Sequence, residues 1–240
     1  MPKTTANQSA INPPRESANW CGWTLGVLFF ALCATHIANG AGHFYPEPSW
    51  LAGAFVVVGF AASIAALSPP LPLVSVIMAA GIAGGIGGIL VAFSAATGYP
   101  LGPMEFTLAA GPRIANLLPW WMPMVWASIA LSSRGTARFL LQGQRQHPQH
   151  GYQVILASTG LAVFANILFA HFGTHSDRYW RHDLAGSLFH SSGHVFHLVI
   201  QVAITALLLD KYPGERPSNP RPALVWVCIA AIFALGWLTG

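Results

Sequence analysis

Apolar runs of about 20 residues, the length at which a helix rising 1.5 Å per residue crosses a hydrocarbon core of ~30 Å, recur along nearly the whole chain. Water cannot be the main solvent of such a sequence. Of its 240 residues only 8% are charged and 54% are hydrophobic, against roughly 25% charged in soluble domains. The reading is an all-α, polytopic membrane helix bundle. A polar arm (1–19) precedes a single membrane domain (20–240), with no room for a soluble partner domain. Seven spans are predicted, at Trp20–Ala38, Trp50–Leu67, Leu73–Ala95, Ala115–Leu131, Tyr152–Ala170, Val195–Leu209 and Ala223–Leu238. The first follows a long arm and is itself of spanning length, so it is expected to be retained, although Ala38-Asn39-Gly40-Ala41 resembles a cleavage site. Ser68-Pro69-Pro70-Leu71-Pro72 breaks the chain between the second and third spans. Arg134–Gln142 reads as an amphipathic stretch at the membrane interface.

The net charge of +4 is spread thinly between hydrophobic spans, which excludes the basic face of a nucleic-acid binder. It reads better as an orientation signal. With the N-terminus inside, eight basic residues (Lys3, Arg15, Arg134, Arg138, Arg145, Lys211, Arg216 and Arg221) fall on inner segments, and three (Arg113, Arg178 and Arg181) fall outside. This predicts a multi-pass protein of a bacterial inner membrane with a cytoplasmic N-terminus. Cys21, Cys33 and Cys228 have neither zinc spacing nor an even count, and are expected to act as small hydrophobes. In the third span Gly81-xxx-Gly85 and Gly84-xxx-Gly88 offer small faces for close helix packing, and no Lys-Ser/Thr follows to make a phosphate loop.

Function must lie in the polar residues between the spans. Glu47, Glu105, Asp177, Asp183 and most histidines fall at or near the outer side, and ionisable groups at membrane depth are costly enough to mark functional sites. Gly98-Tyr99-Pro100-Leu101-Gly102-Pro103-Met104-Glu105-Phe106-Thr107, with Gly111-Pro112, is too rich in glycine and proline to be helical. Such backbone is tolerated at membrane depth where it lines a cavity, so a re-entrant pocket wall is expected. Glu105 is its only carboxylate, and between Met104 and Phe106 in a dry chamber it would favour the protonated form and serve as a general acid. Further on, His190, His194 and His197 recur at i, i+4 and i+7, and His171 and His175 share the four-residue spacing. A metal or haem site built from these five is an alternative to their lining a pocket or bonding between helices.

At these residues the chain resembles the membrane carotenoid-biosynthesis family that includes the bisanhydrobacterioruberin hydratases and carotenoid 1′-hydratases. The resemblance covers roughly residues 95–200. It rests on Gly98 to Thr107, on Gly111-Pro112 and the Pro119–Trp126 helix, and more weakly on Ala165-Asn166 through Tyr179-Trp180. Asn166 stands where family members tend to carry an aspartate, and Met104 where an aromatic is usual. The resemblance implies addition of water across the terminal C1–C2 double bond of an acyclic carotenoid, a lipid-soluble polyene entering from the membrane, with no cofactor. Protonation of the alkene gives a tertiary cation that one water captures. On this reading Glu105 donates the proton and Asp177 or His175 orients the water. Tyr99, Phe106, Trp120, Trp121, Tyr179 and Trp180 line the site, with Asn166 beside them, and aromatic faces stabilise a cation by ~0.5–2 kcal/mol each. For Trp120 and Trp121 an interfacial belt is an equal expectation. A non-catalytic membrane component is the remaining alternative, and the oligomeric state is left open.

Overall fold

The computed structural model describes residues 27, 31, 50–68, 71–144, 149–173, 179–182, 190–208 and 219–239. It is 80% helical. Six α-helices follow in order: α1 Trp50–Leu67, α2 Leu73–Thr97, α3 Met122–Leu140, α4 His150–His171, α5 His190–Leu208 and α6 Arg221–Thr239. Apart from Val27 and Ala31, the first predicted span lies outside the described residues. By length and composition, α2 and α4 can cross a membrane, and shorter apolar stretches occupy α1, α5 and α6. The all-α expectation is met, and two of the seven predicted spans, the third and the fifth, are long and apolar enough to cross a membrane.

The fourth span is where the sequence reading departs most from the structure. Helix α3 starts at Met122, with Pro123 in its first turn where a missing N–H costs nothing, and it runs on to Leu140. Arg134 is thus no interfacial or loop residue but lies inside the helix at 2% exposure. Every residue from Val125 to Ala137 is buried, because α3 is the central helix, packed by α1, α2, α4 and α6. Its polar residues are tolerated there because most bond locally. Ser128, Ser132 and Thr136 each donate to the carbonyl four residues back, at 2.6–2.7 Å.

Helix α2 shows which of its two glycine faces is used. Its buried stripe Val76, Ala79/Ala80, Ala83/Gly84, Gly87/Gly88 and Val91 follows the helical period and meets the start of α3. A β-carbon at Gly84 would sit 2.8 Å from the Pro123 carbonyl oxygen, and one at Gly87 would penetrate the Trp126 side chain. Gly81 and Gly85 face open space. Of the two small-residue pairs, only Gly84-xxx-Gly88 makes a helix contact within the described chain.

Three side-chain contacts set the direction of α5 against α3. The rings of Trp126 and His197 stack at 4.7 Å, Gln201 Nε2 donates to the Ala130 carbonyl at 3.0 Å, and Arg134 Nη1 donates to Thr205 Oγ1 at 3.0 Å. Both partners advance by one helical turn at each rung, so α3 and α5 run parallel. Helix α4 connects them in the opposite sense. The C-terminal ends of α2 and α4 and the N-terminal ends of α3 and α5 therefore meet at one end of the bundle. At the other end Asn219 Nδ2 donates to the Ala66 carbonyl at 2.7 Å while its Oδ1 accepts the Arg221 N–H, tying the start of α6 to α1.

The Gly/Pro-rich segment after α2 is ordered into short strands, which the all-helical reading did not anticipate. β1 (Met104–Phe106) pairs antiparallel with β4 (Trp180–His182), in register Met104 with His182, Glu105 with Arg181 and Phe106 with Trp180. β2 (Arg113–Ile114) pairs with β3 (Leu118–Pro119). Their turn carries Ala115 at φ 50° and Asn116 at φ 59°, closed by Leu117 N–H to the Ile114 carbonyl at 3.0 Å. This is the mirror-image turn that matches strand twist, and alanine fits it poorly. Ala115→Gly is expected to leave stability unchanged or raise it by up to about 1 kcal/mol, measured by thermal unfolding in detergent.

Candidate functional site

The sheets and helix ends at the meeting point of α2, α3, α4 and α5 build a cluster of rings. The strand period of two decides who joins it, because successive side chains of β1 point to opposite faces. Phe106 turns inward at 4% exposure and Glu105 turns outward and is exposed. Across the ladder Trp180 is 2% exposed and meets Phe106 edge-to-face at 6.2 Å. Tyr179 continues the tie, its carbonyl accepting the Thr107 N–H at 2.9 Å and Thr107 Oγ1–H at 3.2 Å. Trp121, at the start of α3, meets Tyr179 at 5.8 Å and donates its Nε1–H to the Ala110 carbonyl at 3.0 Å.

Helices α4 and α6 complete the cluster from below. Phe169 approaches Trp180 at 5.1 Å and Phe233 at 5.0 Å, and Phe172 approaches Phe233 at 5.4 Å. Phe169 of α4 and Phe172, the residue that caps it with helical backbone, are three apart and so lie on one face. Gly173 follows as the floor under Trp180, since a β-carbon there would run into the indole ring. Such ring pairs contribute about 0.5–1.5 kcal/mol each beyond their buried area, so the cluster is a rigid apolar wall. One polar atom within it is unsatisfied: Trp180 Nε1 is buried without a partner.

Of the six aromatics singled out in the sequence, Phe106, Trp121, Tyr179 and Trp180 come together. Tyr99 is 59% exposed, and Trp120 is 37% exposed with its ring against Gly53 of α1. Asn166 is half-buried on α4, beside the Ala162, Ala165 and Phe169 stripe. Phe169, Phe172 and Phe233 were missed, lying within apolar spans where phenylalanine is unremarked. The spacing of Phe169 and Phe172 next to His171 was the available signal.

The expectation for Glu105 is corrected. Its carboxyl is not held in an apolar chamber by an inward-folding loop, because β1 alternates and its inward place belongs to Phe106. His175, Asp177 and Asp183 lie outside the described residues, as do the side chains of Arg181 and His190. His171, half-buried at the end of α4, does not share a helix face with His194 and His197, which lie on α5. Among the described residues no three histidine, cysteine, aspartate or glutamate side chains converge as a metal site.

A second polar feature lies deeper, in the seam between α3 and α5. His197 is 1% exposed, and Gln201 and Ser133 are fully buried. The helices approach each other less closely here than α3 approaches α2 or α4, and the gap is spanned by Trp126, His197, Gln201 and Arg134. Sequence reasoning named His197 but not Gln201 or Ser133. A lone glutamine in the middle of an apolar span was the signal.

Two of the helices, α2 and α4, are long and apolar enough to cross a membrane, which points to a membrane protein. A family model described as carotenoid biosynthesis protein matches residues 51–235. The chain belongs to the carotenoid biosynthesis protein family. No curated protein and no solved structure matches it.

Proposed function

We propose that this protein acts on the end group of an acyclic carotenoid or related polyene, held against the ring cluster of Phe106, Trp121, Tyr179 and Trp180. Family membership over most of the chain supports a role in carotenoid biosynthesis. The observation that carries the end-group reading is the cluster itself, which β1, the start of α3, β4, α4 and α6 bring together. Rings at that position would contact a polyene terminus arriving from the bilayer, and their faces would stabilise a developing tertiary cation by ~0.5–2 kcal/mol each. The reaction is hydration of the terminal C1–C2 double bond. One proton is delivered to the alkene, one water adds to the tertiary carbon, and the water's surplus proton is released.

Glu105 on the exposed face of β1 does not meet the need for an acid shielded from water. Asp177, two residues before Tyr179 in the chain, takes that role in the proposal, with His175 orienting the water. The protein crosses a bacterial inner membrane several times with its N-terminus inside. With Arg134 now inside α3, seven inner basic residues still outnumber three outer ones.

The test is expression in cells that accumulate an acyclic carotenoid, followed by chromatography of the pigments. A more polar, hydroxylated product is expected. Asp177→Asn is expected to abolish it and Glu105→Gln to retain at least half. The opposite pattern would return the acid role to Glu105. A second reading, a non-catalytic carotenoid-binding component, is favoured by the exposure of the one carboxylate among the described residues. Pigment that co-purifies unchanged with the protein would select it.

A further inference from the structure

The α3–α5 seam contains two buried polar atoms without partners, on the same face of α5 and one turn apart. Gln201 spends its amide N–H on the Ala130 carbonyl, which fixes the orientation of the amide and leaves Oε1 as an unsatisfied acceptor. His197, stacked on Trp126, leaves Nε2 unsatisfied. Both residues are at most 1% exposed, so bulk water does not serve them. Buried acceptors and ring nitrogens are almost always bonded, and an orphaned pair at one place points to a missing partner. Long side chains rather than close backbone contact hold α3 and α5 together here.

We propose that this seam is a binding site for a single hydroxyl-bearing ligand, whose O–H bridges Gln201 Oε1 and His197 Nε2. The ligand must donate a hydrogen bond to Gln201, since that atom can only accept. Toward His197 there are two cases. If Nε2 carries the ring proton, the ligand oxygen accepts it, which either water or an alcohol can do. If Nε2 holds the lone pair, the ligand must donate twice, which only water can do. Apolar ligands satisfy neither atom, and an anion without a proton to donate leaves Gln201 Oε1 unserved. The site lies five residues along α3 from Trp121, about 7 Å deeper than the ring cluster at 1.5 Å per residue. It is therefore distinct from the ring cluster and does not depend on the hydration reading.

The experiment is proton-detected solid-state NMR on the full chain, labelled with 15N-histidine and reconstituted in lipid vesicles without carotenoid. His197 Nε2, assigned by its loss in His197→Phe, is expected to show a cross-peak to water protons. Adding a carotenoid with a tertiary hydroxyl end group separates the sources. If the water cross-peak persists unchanged, the ligand is water. If it is replaced by a shifted Nε2 resonance, the alcohol occupies the site. Gln201→Met, which keeps length but removes the acceptor, is expected to weaken the cross-peak at least fivefold. A Nε2 resonance with no water contact and no response to the hydroxylated carotenoid overturns the proposal. So does a cross-peak untouched by Gln201→Met in protein whose circular dichroism is native.

Discussion

Gly87→Ala is expected to destabilise the protein by roughly 1–3 kcal/mol, while Gly81→Ala and Gly85→Ala, in the same span, are expected to stabilise it by roughly 0.5–1 kcal/mol. The chemistry of the three substitutions is identical. In a helix interior alanine is better than glycine because it loses less backbone entropy on folding, and that term alone operates at Gly81 and Gly85, where an added β-carbon meets nothing within 4 Å. At Gly87 the same atom would occupy space already filled by the Trp126 side chain. Trp126 cannot yield, being stacked on His197 and only 4% exposed. Thermal unfolding in detergent, followed by circular dichroism for the three variants side by side, checks the sign of each. A neutral Gly87→Ala would mean that α2 and α3 are not packed as described.

Trp180→Ala should cost about 3–5 kcal/mol and abolish pigment modification. The indole is buried between Phe106 and Phe169, above Gly173, and its removal leaves a void bordered by stiff rings that cannot collapse. It would also loosen the β1–β4 ladder, which holds the Gly/Pro-rich segment over the bundle end. Trp180→Phe keeps most of the packing and removes the unsatisfied Nε1, so its stability loss should be at most half as large. Chemical unfolding and pigment chromatography on the same preparations separate the two effects. Product formation by a folded Trp180→Ala protein would remove the ring cluster from the proposed site.

Much of the helical order was legible in the chain because hydropathy acts over whole spans. Trp50–Leu67 is the same in both readings, and α4 and α6 differ by two residues or fewer at each end. The fourth span failed because Ser132, Ser133, Arg134 and Thr136 end an apolar run by hydropathy, yet a helix surrounded by others on all sides can hide them. The Ser132 and Thr136 hydroxyls bond to the helix's own carbonyls, and Arg134 reaches Thr205 across the seam. The aromatic site was half legible: tyrosine and tryptophan near span ends are conspicuous, whereas phenylalanine within a span is not. Glu105 was misjudged because glycine and proline announce a break in helix but not the strand that replaces it, and a shift of one residue in a strand reverses which side chain faces inward.

What the sequence determined on its own is the apolar character of the chain, the approximate helices and the family resemblance, since these depend on composition and local order. Tertiary structure alone decided which glycine face packs, which aromatics meet, that Glu105 points outward, and that His197 and Gln201 share a buried seam. Each of these turns on the rotation of one element against another, and that angle is set by packing between segments far apart in the chain, which no local pattern encodes.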